Sequence, residues 1–224
     1  MTVDEIDKFI SNNSETKIQD YFNNLVSKLK ATNSRNDKLT ILMGILIVFY
    51  FVTDLKVVSK FSLGPIELTD FHLVKLFIPL AFSYVLLVFA TLNAHRAQII
   101  KNIRQIGKGL YQLNENVAED SMYSNVFLQM IMPFSFWEEL NSKFMKDGNV
   151  GCLTIFLTIP LYPILLTPFV FEYIAIKNLI INNWQNGWIE KGVIILTIWI
   201  LISAIIYYIK LMKTAISEVK TDFN

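Results

Sequence analysis

The chain has 224 residues, 53% of them hydrophobic and 17% charged, where a soluble domain carries about 25% charged residues, so the composition argues against a soluble domain. The formal net charge of +1 offers neither the global basicity that nucleic-acid binding draws on nor the acidic balance of a solvating tail. The single cysteine, Cys152, can neither close an internal disulfide nor build a thiolate metal cluster, and reads as a small buried or lipid-facing residue.

Long uncharged stretches alternate with polar segments that hold nearly all the Lys, Arg, Asp and Glu. Richness in Ile, Asn, Lys and Phe points to an AT-rich, bacterial genome. Residues 1–38 are polar and mixed in charge, without the short apolar core of a signal peptide. Asn12 followed by Glu15 predicts a capping arrangement, the Asn oxygen accepting a backbone N–H while Glu15 reaches back. Ile18, Phe22, Leu25 and Leu29 then share one helical face, with Lys17, Asp20, Asn24 and Lys28 on others. This amphipathic helix packs on the protein's own cytoplasmic part, on the membrane surface or on another subunit.

A bilayer core of about 30 Å needs about 20 apolar helical residues. The first candidate span is 39–53, extendable to 58 if Asp54 lies near the headgroups, and it would act as an uncleaved signal anchor. Gly64 and Pro65 then predict a turn. Thr69 or Asp70 can cap the outer end of the second span, 76–94, where negative charge suits the helix dipole. Residues 39–94 thus form a first transmembrane hairpin.

The central segment, 95–149, begins as a continuation of span two. Ile99, Ile103, Ile106, Leu110 and Leu113 make an apolar stripe opposed by Lys101, Arg104, Gln105 and Lys108, and Gly107 and Gly109 weaken the helix there. Residues 121–137 are apolar and aromatic but interrupted by Pro133, and read as an interfacial or re-entrant helix. The third span is 148–171, between Asp147 and Glu172. After a turn at Asn186-Gly187, the fourth span is 192–209. The second hairpin covers 150–209, and 210–224 is a tail.

Four such runs, with charges confined to their ends, are hard to place in one soluble domain. Helices suit them because lipid offers no partner for unpaired backbone groups, and the runs lack the alternation of a barrel strand. The expectation is therefore an all-α integral membrane protein with four transmembrane helices, plus amphipathic cytoplasmic helices before span one and between spans two and three. Lys28, Lys30, Arg35 and Lys38 precede span one. Arg96, Lys101, Arg104 and Lys108 follow span two, and Lys210, Lys213 and Lys220 follow span four. The other loops carry only Lys56, Lys60, Lys75, Lys177 and Lys191. The positive-inside rule then puts both termini and the central segment in the cytoplasm, in a bacterial inner membrane. Tyr173, Trp184 and Trp188 flank the outer interface, and Trp137 the inner one.

Pro160, Pro163 and Pro168 crowd the third span. Each removes a helical hydrogen bond, which makes either a kinked packing helix or a hinge or carbonyl-lined path. Asp54, Lys75 and Glu172 border the spans, within snorkelling reach of the outer headgroups. Asp54 and Lys75 can pair across the outer loop, and Glu172 is the best candidate for attracting a cation. His72 and His95 fall on opposite sides of the membrane, and no cluster has zinc-ligand spacing. Phosphate-loop and nucleophile-elbow motifs are absent, so no enzyme activity and no cofactor are expected. Arg96, Lys101, Arg104 and Lys108 suit anionic lipid, at roughly 1 kcal/mol per charge, or a docked cytoplasmic protein.

The sequence therefore points to a homo-oligomeric pore-forming or membrane-perturbing protein, its partners being the lipid bilayer and copies of itself. The alternative is a membrane anchor or scaffold that recruits a cytoplasmic protein. A transporter subunit or membrane enzyme ranks last, because no polar site is evident at mid-membrane depth. Nucleic acid is not expected as a partner.

Overall fold

The computed structural model describes residues 3–54, 61–63, 66–68, 71–111, 132–133, 161–185 and 187–221. These residues are overwhelmingly helical. In chain order they form α1 (Val3–Asn12), α2 (Glu15–Asp54), β1 (Phe61–Leu63), β2 (Ile66–Leu68), α3 (Phe71–Leu110), α4 (Leu161–Asn183) and α5 (Trp188–Thr221). The chain forms two compact units. The first comprises Met1–Arg35, Asn93–Pro160 and Val219–Asn224, the second Asn36–Leu92 and Leu161–Glu218.

In the first unit, α1 ends where the Asn13 side-chain amide donates to the Phe9 carbonyl at 2.8 Å. Ser14, not Asn12, opens α2: its carbonyl accepts the first helical bond, from Ile18 N–H at 3.1 Å. Asn12 is already the last residue of α1, so it is spent on one helix end and does not start the next. The expected stripe is buried: Ile18, Phe22, Leu25 and Leu29 on α2 meet Ile99, Ile100, Ile103 and Ile106 on α3, with Ile6 of α1 completing the core. Met132 packs against the same core. The two amphipathic stripes therefore cover each other within one chain. Gly107 and Gly109 do not break α3, which runs on to Leu110. A Cβ on Gly109 would stand 2.8 Å from Ile10 Cδ1, so this glycine lets α1 approach closely.

In the second unit, the later part of α2 and the early part of α3 pack with α4 and α5. Met43, Tyr50, Phe82, Leu86, Phe171, Ala175 and Ala204 form one core cluster, and Leu76, Leu179, Val193 and Ile194 another. The two small side chains Ala175 and Ala204 are fully buried, as close helix contacts in lipid favour. Rings converge on Phe171, at 4.6 Å from Phe82 and 5.2 Å from Tyr50. Between α2 and α3 the chain makes a short antiparallel hairpin, Leu63 opposite Ile66 and Phe61 opposite Leu68. The sequence expectation had only a turn there; the two residues between the strands are the Gly64-Pro65 pair it rested on.

Three helical segments are long and apolar enough to cross a membrane: Glu15–Thr53, His72–Gly107 and Trp188–Lys210. Their large apolar side chains are widely exposed, Trp199 at 69% and Ile45 at 58% among them. In water such a surface would be an aggregation liability, whereas in lipid it is ordinary. These helices place the protein in a membrane.

The expected third span is where the structure departs most from the sequence reading. Residues 148–160 lie outside the described residues, as do 112–131 and 134–147. The described helix α4 does not stop at Phe171 but continues for twelve further residues, to Asn183. Glu172 is thus no border residue. Glu172, Lys177, Asn178, Asn182 and Asn183 lower the apolar character of α4, which explains why the more apolar residues before it drew the span boundary towards the N-terminus.

Candidate functional site

The polar groups that matter lie on α3 and α4, which run antiparallel. At one end of the pair His72 Nε2 and Asn183 Oδ1 are 2.8 Å apart. Leu76 and Leu179 belong to the same buried cluster. Eleven residues beyond the first contact on each helix, Ser83 Oγ donates to Glu172 Oε1 at 2.8 Å. The paired positions keep one register, 72 with 183, 76 with 179 and 83 with 172. At 1.5 Å rise per residue, the Ser83–Glu172 bond lies about 16 Å along the bundle from the His72–Asn183 end.

Glu172 and Ser83 are both completely buried. Their surroundings are apolar: Phe82 and Phe171, their immediate chain neighbours, pack with their rings tilted at 56° to each other. Glu172 Oε1 has its bond from Ser83, but Oε2 has no hydrogen-bond partner among the described residues. An uncompensated carboxylate in such surroundings costs several kcal/mol. Ionisable groups in this setting mark functional positions by default.

Both members sit one turn beyond a proline, Ser83 after Pro79 and Glu172 after Pro168. A proline frees the carbonyl four residues before it, so both helices carry a break in their bonding ladder near the pair. Nearer the His72 end, Asn178 Nδ2 donates to the Tyr50 hydroxyl at 3.3 Å. Thr53 Oγ1 donates to the Tyr50 carbonyl at 2.7 Å, and Thr197 Oγ1 to the Val193 carbonyl at 2.8 Å. These polar side chains are satisfied internally, as helices in lipid require.

The chain matches no family model, no curated protein and no solved structure.

Of the residues singled out from sequence, Glu172 is the one the structure places in a built site. Pro168 is half-buried one turn before it, Pro163 lies in α4 with its side chain outside the described residues, and Pro160 is outside them altogether. Lys75 is half-buried on α3, but the side chain of Asp54, the last residue of α2, is not among those described, so the expected ion pair falls outside them. On the first unit, Arg96 Nε donates to Asn33 Oδ1 at 2.7 Å. Lys101 is exposed, Arg104 half-buried, and the Lys108 side chain outside the described residues. Among the described residues no group of three or more His, Cys, Asp or Glu is placed to hold a metal.

Two residues of the site escaped the sequence reading. Ser83 and Pro79 lie inside the second span, whose apolar run drew attention away from them. A usable signal was present: a hydroxyl at the centre of one span and a carboxyl within the next apolar segment are the pair that a buried acid needs.

Proposed function

We propose that the chain is a four-span membrane protein that assembles as a homo-oligomer and forms a pore or perturbs the bilayer, with Glu172 as the group that handles charge. α4 supplies the third span in chain order and extends it to Asn183; its 23 residues reach about 34 Å, enough for the bilayer core. Lys and Arg bias puts the N-terminus, the central segment and the C-terminus in the cytoplasm of a bacterium, with the bilayer as the inner membrane. The observation that carries the reading is the buried Glu172 carboxyl bonded to Ser83 between two proline-interrupted helices. A bundle of four helices leaves little room for water, so conduction requires several copies.

The experiment is ionic current from purified protein in planar bilayers. Wild-type protein carries current above the lipid baseline, and Glu172→Gln, which keeps the side-chain shape and an acceptor for Ser83, changes its amplitude or cation selectivity. Wild-type protein that assembles in the bilayer yet passes no current refutes the pore.

The alternative, an anchor or scaffold for a cytoplasmic protein, draws on a different observation. The first unit has its own hydrophobic core, in which α1 and the early part of α2 meet the later part of α3, and it carries the Arg96, Lys101 and Arg104 cations. A soluble protein that co-purifies with wild type and is lost from a triple charge-reversal variant at these positions favours this reading.

A further inference from the structure

The buried carboxyl oxygen of Glu172 has no partner among the described residues, while its neighbour is held by Ser83. A carboxyl group with one oxygen fixed and the other open, away from water, is built to take a small positive charge. Titratable groups on the packed helices include Tyr50 on α2, His72, Lys75 and Tyr84 on α3, Tyr173 and Lys177 on α4, and Tyr207 and Tyr208 on α5. None of them hydrogen-bonds to Oε2; Tyr84, Tyr173 and Lys177 are exposed, and Lys75 lies two turns from Ser83 along α3. Among the described residues, no hydrogen-bond partner meets the open oxygen.

We infer that Glu172 and Ser83 form a binding site for a single small monovalent cation, a proton or an alkali metal ion, inside the membrane-embedded bundle. In either case Oε2 takes the charge while Ser83 Oγ–H holds Oε1 and fixes the carboxyl plane. Divalent ions do not suit the site, since its single carboxyl offers one negative charge to a doubly charged ion that sheds its waters reluctantly. Pro79 and Pro168, one turn before Ser83 and Glu172, free the backbone carbonyls of residues 75 and 164, about two turns from the pair on either side. The inference rests on the membrane-embedded reading of α3 and α4, but not on conduction.

The test reads occupancy, not flux. The full chain in lipid vesicles is treated with dicyclohexylcarbodiimide, an apolar reagent that enters bilayers. A carboxyl O–H adds across one C=N bond of the reagent, and the O-acylisourea rearranges to a stable N-acylurea with no leaving group. Mass spectrometry of the peptide containing Glu172 counts the adduct. Labelling is followed against pH in choline chloride, then with sodium or lithium chloride replacing choline at constant ionic strength.

A proton site loses label as pH rises and ignores alkali ions; an alkali-ion site also loses label when sodium or lithium is added at fixed pH. In Ser83→Ala the midpoint of the loss moves by about tenfold in ligand concentration, the weight of one hydrogen bond to a charged group. Two results overturn the site. One is an absence of label at every pH while the same chain labels at Glu172 once dissolved in denaturing detergent. The other is label that neither pH nor alkali ions change. The pore reading can fail in the bilayer experiment while this site stands, and the site can fail here while current is observed.

Discussion

Ile103 is completely buried on α3 and faces Phe22, Leu25 and Leu29 of α2 in the core of the first unit. Truncating such a side chain to Ala costs about 2–5 kcal/mol. Ile103→Glu loses the same packing and adds an unpaired buried charge, several kcal/mol more. Domains are stable by about 5–15 kcal/mol in total, and this unit is a small one, so the Glu variant exceeds what it can absorb. The expected result is that α1 and the early part of α2 detach from α3 while the membrane-embedded helices persist. Hydrogen exchange by mass spectrometry, on protein held in lipid nanodiscs, reads this directly. Amides within 3–33 lose protection in Ile103→Glu and lose part of it in Ile103→Ala, while those within 192–209 keep theirs. Undiminished protection over 3–33 in the Glu variant refutes the reasoning. A variant that stays protected but falls from oligomer to monomer shows that the stripe serves contacts between copies, the role the sequence alone suggested.

Ser83→Ala removes the bond to a buried carboxyl and destabilises the second unit by roughly 1–3 kcal/mol, whereas Glu172→Gln, with Ser83 still bonded, costs less; thermal unfolding in detergent that ranks the two the other way contradicts the pairing. Gly44 lies on α2 with nothing within 4 Å of where a Cβ would stand, on a side with exposed Ile41, Ile45 and Val48. Gly44→Leu is therefore neutral for a single subunit and disrupts an oligomer that uses this glycine for close approach; native mass spectrometry that finds the same assembly in both forms removes that face as the contact. A topology reporter placed after Asn224 reports the cytoplasm and one within 182–187 the far side, and a cytoplasmic signal from 182–187 ends the four-span arrangement.

Much of the architecture is local in origin and could be read from residues alone. Unbroken apolar runs at 39–53, 76–94 and 192–209 identify three segments that the structure forms as long helices, because period and hydropathy are properties of neighbours in sequence. Ile18, Phe22, Leu25 and Leu29, and Ile99, Ile103 and Ile106, follow from the 3.6-residue period in the same way. What covers each stripe does not follow from it: two apolar faces can meet within a chain or between chains, and only the packing of α2 on α3 decided for the first. A change of direction near Gly64-Pro65 was expected from residue types, but the pairing of the strands on either side depends on backbone bonds between two segments.

The site was the least legible feature. An acidic residue at the edge of an apolar run looks like a membrane boundary, since an isolated carboxylate in lipid is costly. Whether Glu172 is isolated depends on Ser83, 89 residues away, and on a helix register that brings 172 beside 83 by the same spacing that sets 183 beside 72. That register is a property of two packed surfaces, the fit of Leu76 against Leu179 and of Phe82 against Phe171, and no single segment encodes it. The sequence determined that this chain carries long apolar helices, and from residues alone the charges beside them read as lying at their ends. Tertiary structure decided that one of those charges lies inside.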